Sequence, residues 1–151
     1  MSLELKINGD IKNAMLARDA KKLEALRAIK AALLIEKAKE GAAAEIAEEV
    51  ELKILQKMVK QRRESADIYN QANRKDLADK ELYDASVIET YLPQQMSEEE
   101  VTAIIQNIVK QTGANSVKDM GKVMGAASKE LAGKADNKMI SVIVKNLLTN
   151  P

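Results

Sequence analysis

Apolar residues in this chain recur three and four positions apart along almost its whole length, and a two-residue alternation never persists. That spacing lays one apolar stripe along a helix, whereas a half-buried strand needs alternation. Composition agrees. The apolar and charged shares are 46% and 31%, filled largely by Ala, Leu, Ile, Val, Met, Lys and Glu, with three Tyr as the only aromatics. Several of these lose little freedom in a helix. Ile and Val could serve strands, but they too recur at helical spacing. The predicted fold class is all-α, with essentially no sheet.

Start and stop signals divide the chain further. Ser2 is placed to cap a first helix on which Leu3, Ile7, Ile11, Ala14 and Met15 keep helical spacing, weakened by Gly9. Asp19 caps a second, lined by Leu23, Leu26, Ile29, Leu33 and Leu34 and stopped at Gly41. From about residue 44 to residue 73 no Pro or Gly interrupts, so the longest helix is expected there, with Ile46, Val50, Ile54, Met58 and Tyr69 inward. A fourth runs from about residue 75 to residue 92, on Leu77, Leu82, Ala85, Ile88 and Leu92, and Pro93 enforces a boundary. The domain division predicted is residues 1–93, a longer helical unit, and residues 94–151, a small three-helix bundle.

Each helix of the second unit has its own signals. Ser97 with Glu100 forms a capping box for a helix on Val101, Ile104, Ile105, Ile108 and Val109, ended by Gly113. Ser116 with Asp119 forms a second box, opening a helix on Val117, Met120, Met124, Ala127 and Leu131 that Gly133 closes. Asp136 caps the last helix, where Ile140, Ile143, Val144, Leu147 and Leu148 face inward.

The chain has neither Cys nor His, which removes disulfides, thiolate nucleophiles, the commonest general base and the commonest transition-metal ligand together. No P-loop or GxGxxG occurs, and no cofactor is expected. The first residues mix acid and base and do not read as a signal peptide, and no run of about 18 uncharged apolar residues suggests a membrane span. The expected address is cytoplasmic. Formal net charge is only +1, so any affinity for polyanions has to come from local distribution.

One such concentration lies on the predicted helix from residue 116 to residue 131. At about 100° per residue, Lys118, Lys122 and Lys129 fall within an arc of about 40°, with Gly125 about 20° and Gly121 about 60° outside its Lys118 edge. A phosphate chain can approach bare glycine backbone closely while ammonium groups supply charge. Lys134 and Lys138 extend the basic character. Two readings stay open: an RNA-binding surface, or an ordinary solvated face whose small residues permit helix packing. A second basic face, Lys53, Lys57 and Lys60, carries Glu49 and Glu64 at four-residue spacings that allow ion pairs and reads as self-neutralised, with Arg62 and Arg63 pointing away. Glu98, Glu99 and Glu100 are acids of a first helical turn, favoured there by the helix dipole rather than by a metal. So few aromatics leave shape and phosphate contacts as the realistic mode of RNA recognition.

The stretch from Lys118 through Asp119, Met120, Gly121, Lys122 and Val123 to Met124 and Gly125 resembles the YqeY family. Residues 54–65, 89–93 and 133–136 resemble its other landmarks. The resemblance implies a helical N-terminal unit and a C-terminal unit related to the tail of the B subunit of tRNA-dependent amidotransferases. In those enzymes, which convert Glu or Asp misacylated on tRNA to Gln or Asn, the tail contacts tRNA while catalysis lies elsewhere. The leading expectation is a non-catalytic module binding tRNA or a tRNA-containing complex. The alternatives are an adaptor receiving a protein partner at Gly121 and Gly125, and participation in amide transfer with glutamine as donor. The last has no recognisable nucleophile or ammonia-generating site behind it.

Overall fold

The computed structural model describes residues 2–41 and 45–149, and among them every regular element is helical. The elements are α1 (Leu3–Leu16), α2 (Ala20–Glu40), α3 (Glu48–Gln71), α4 (Lys75–Glu89), α5 (Glu98–Thr112), a 3-10 turn (Val117–Asp119), α6 (Met120–Glu130) and α7 (Asn137–Thr149). They form two compact units, Met1–Leu92 and Pro93–Pro151.

Four of the predicted caps are made. The Ser2 hydroxyl accepts from Leu5 N–H at 3.2 Å, and the Asp19 carboxylate from Lys22 N–H at 3.1 Å. The Ser97 hydroxyl accepts from Glu100 N–H at 3.2 Å, and Asp136 from Lys138 N–H at 3.2 Å. Each satisfies a donor that the first turn of a helix would leave free. Gly113 ends α5 at φ +70°, where a Cβ would be strained. α3 is the longest helix but starts at Glu48, about a turn later than expected; the predicted start at residue 44 lies outside the described residues.

In the first unit α1 pairs with α2, and α3 with α4, closing over Ile7, Leu26, Ile29, Leu33, Leu55, Val59, Ala85 and Ile88. Three residues assigned to inward faces of this unit are instead exposed, Met15 at 55%, Leu34 at 47% and Leu82 at 45%, as is Val117 of the second unit at 51%. On α4, Leu82 is turned about 100° from Glu81. Asp84, at 5% exposure, occupies the buried side instead. In the second unit α5, α6 and α7 contact one another around Val101, Ile105, Val123, Ala127, Leu131, Ile140, Val144 and Leu148.

Candidate nucleic-acid interface

α6 is anchored from one side. Val123, Ala127 and the following Leu131 are buried in the core of the second unit, with Met120 and Met124 partly covered beside them. The helix repeat therefore turns Gly121, Lys122, Gly125 and Lys129 outward, and all four are exposed.

The start of this helix corrects the sequence reading. No box forms between Ser116 and Asp119: residues Val117–Asp119 make a 3-10 turn and α6 begins only at Met120. The Asp119 carboxylate reaches back to Asn115 N–H at 3.1 Å, and the Ser116 side chain makes no capping bond. A side chain that hydrogen-bonds nearby backbone competes with regular helix, and here it tightens the entry into a turn. At about 120° per residue in that turn and 100° in α6, Lys118 lies about 80° from Lys122 instead of 40°. The shift carries Lys118 toward the glycines, and the stripe widens without dispersing.

The turn between α6 and α7 places the remaining lysines. Gly133 has φ +75°, and its carbonyl accepts from the Gln95 side-chain amide at 2.6 Å. The Lys134 carbonyl accepts from Met96 N–H at 2.9 Å. The strand of backbone entering the second unit thus stitches the turn from outside, Ala135 is buried beneath it, and the Lys134 and Lys138 side chains remain exposed. No local signal could have revealed these two bonds, since their partners lie 38 residues apart.

Charge around the lysines is not cancelled by contact. Of the three acids between residues 118 and 138, Asp119 and Asp136 have their carboxylates on backbone N–H groups. Glu130 is exposed, and Lys118, Lys122, Lys129, Lys134 and Lys138 form no ion pair among the described residues. Among the described residues, the ion pairs that do form all join residues of the first unit. Two involve Arg62, which reaches Glu81 at 3.2 Å and Asp84 at 3.6 Å, while Arg63 pairs with Glu89. An open groove of about 480 Å³ between Met58, Ser65 and Ile68 includes Arg62, but this cation is already committed to the α4 acids. On the second basic face, Lys53 pairs with Glu49 at 3.5 Å as expected. Lys57 and Lys60 make no ion pair among the described residues, so neutralisation by contact reaches only part of that face.

The glycines are equally informative. A Cβ built on Gly121 or Gly125 would meet nothing within 4 Å, and neither position has a positive φ. Each Gly within a helix costs roughly 0.5–1 kcal/mol relative to Ala. Neither close packing nor backbone conformation requires glycine at these positions.

A sequence model of the YqeY family, described as Yqey-like protein, matches residues 4–148. The chain belongs to this family. No curated protein matches it significantly. Two landmarks that carried the YqeY resemblance have structural roles in the first unit. Within residues 54–65, Leu55 and Val59 are buried while Arg62 and Arg63 bind α4. Within residues 89–93, the Tyr91 hydroxyl donates to the Asp10 carboxylate, and Lys6 lies 5.3 Å from the centre of its ring. Burial first, and Asp10 second, push the Tyr91 hydroxyl well above the ordinary phenol range. The YqeY landmark at residues 133–136 builds the turn described above. In the landmark at residues 118–125, Val123 serves the core, whereas Lys118, Gly121, Lys122 and Gly125 are exposed.

Proposed function

We propose that this chain is a non-catalytic RNA-binding accessory module. Lys118, Lys122, Lys129, Lys134 and Lys138 take phosphates of tRNA or of a tRNA-containing complex, and Gly121 and Gly125 let the backbone come close. The observation that carries this reading is a set of exposed lysines without ion pairs among the described residues, beside two glycines that the fold does not need. Resemblance of the second unit to the tRNA-contacting tail of amidotransferases supports the same ligand.

Binding of bulk tRNA across a salt series tests it. Replacing Lys118, Lys122 and Lys129 together by Gln should weaken binding and flatten its salt dependence, by about 0.7 to 0.9 in slope for each phosphate no longer neutralised. Replacing Lys53, Lys57 and Lys60 serves as the control. Loss of binding in the control with full affinity in the α6 triple would move the surface to the first unit.

A second reading takes the open backbone at Gly121 and Gly125 as the seat of a partner helix, since among the described residues nothing lies within 4 Å of a Cβ built at either position. Affinity for such a partner should depend little on salt and should fall in Gly125→Leu, which blocks close approach while keeping every lysine.

A further inference from the structure

The second unit, residues 93–151, contains no Arg and no Tyr: the five arginines and three tyrosines of the chain all lie earlier. With no Phe or Trp either, its exposed basic surface offers ammonium groups and no stacking platform. Proteins that hold single strands rely on aromatic faces, and on Arg, to gain from each base what ordering a flexible strand costs. Bidentate reading of guanine is the work of Arg far more than of a point-charge ammonium. What remains is attraction to phosphates, which grows with the charge density of the nucleic acid and with how well its phosphates are already placed.

The lysines are themselves well placed. Lys122 and Lys129 stand seven residues apart on one side of α6, a separation of about 10 Å along the axis. The helix carrying them is pinned by buried Val123, Ala127 and Leu131. The base of Lys134 is held by the bond from Met96 to its carbonyl. A helix that fixes the spacing of its lysine stems gains most from phosphates that are already fixed, because only the flexible lysine side chains then have to be ordered on binding.

We infer that this surface selects duplex RNA over single-stranded RNA, through its phosphates. The inference rests on the RNA-binding reading above and names the structural class of the ligand.

The test uses the full chain and two competitors of labelled tRNA: a blunt RNA duplex, and an unstructured oligouridylate with the same number of phosphates. The duplex should compete about tenfold better, roughly the advantage that one missing base-stacking interaction denies the single strand. Its direct binding should fall by about 2.7 in salt slope when Lys118, Lys122 and Lys129 become Gln, about 0.9 for each lysine that neutralises a duplex phosphate. Equal or better competition by oligouridylate, with tRNA binding intact, overturns the inference alone. Duplex preference that survives in the triple variant overturns its assignment to this surface. Failure of tRNA itself to bind overturns the functional reading and the inference with it.

Discussion

Asp84 sits where the inward face of α4 would ordinarily carry a hydrocarbon. Its carboxylate is buried beside the Arg62 guanidinium, which it shares with Glu81. Burial raises its pKa above the ordinary carboxylate value, Arg62 and Lys80 act against that, and Glu81 and Glu24 add to it. The folded chain therefore binds this proton more tightly than the unfolded chain. The stabilising contribution is full below the ordinary carboxylate range and is lost as pH rises through the raised value. Asp84→Asn removes the titration, so the variant should gain on the wild type between about pH 3 and pH 7. Urea midpoints at both ends check this, and a constant offset would contradict it. Arg62→Ala should cost about 2 kcal/mol by stranding the carboxylate, and much less when combined with Asp84→Asn. Asp136 presents a simpler case. Its bond to Lys138 N–H caps α7, so Asp136→Ala should lower stability by about 1 kcal/mol, and an unchanged unfolding midpoint would remove that role.

At the scale of one element, α6 is a helix whose two sides answer to different demands. Its buried side obeys the apolar repeat, while its exposed side carries glycines that weaken it. Gly125→Ala meets open space on a helical backbone, so it should stabilise the chain by about 0.5–1 kcal/mol. A denaturant titration checks the sign, and destabilisation would show that the position has a packing role. Paired with weaker tRNA binding, the gain would separate the demands of ligand from those of fold. The inward side of α6 and its closing turn were legible in the sequence, since Val123, Ala127, Leu131 and Gly133 follow from period and punctuation. The 3-10 entry was not. Ser116 and Asp119 have capping-box spacing, but Asp119 finds Asn115 N–H first, and choices between two nearby donors are made by local geometry.

For the molecule as a whole, the division at Leu92 and Pro93 separates two cores, each with its own helices. Residues from about 95 to 151 should fold alone, though a unit near 60 residues buries only about 60% of its unfolded surface and is marginal. Circular dichroism and thermal melting of that fragment test it; absence of helix, or a non-cooperative melt of a monodisperse sample, would refute independence. Shortening the fragment past Gln95 and Met96 should destabilise it further, because these residues hold the turn at Gly133 and Lys134. By itself the sequence determined the helical class, most caps and stops, the place where Pro93 interrupts, and the lysines and glycines that share one side of α6. All of these depend on neighbours within about two turns of chain, where period and capping act. Tertiary structure decided that Asp84 is inside and Leu82 outside, that Tyr91 meets Asp10, and that Gln95 secures the turn before α7. Those outcomes depend on partners brought from distant positions: a carboxylate can occupy a core position only where a guanidinium arrives to meet it, and no periodicity records that arrival.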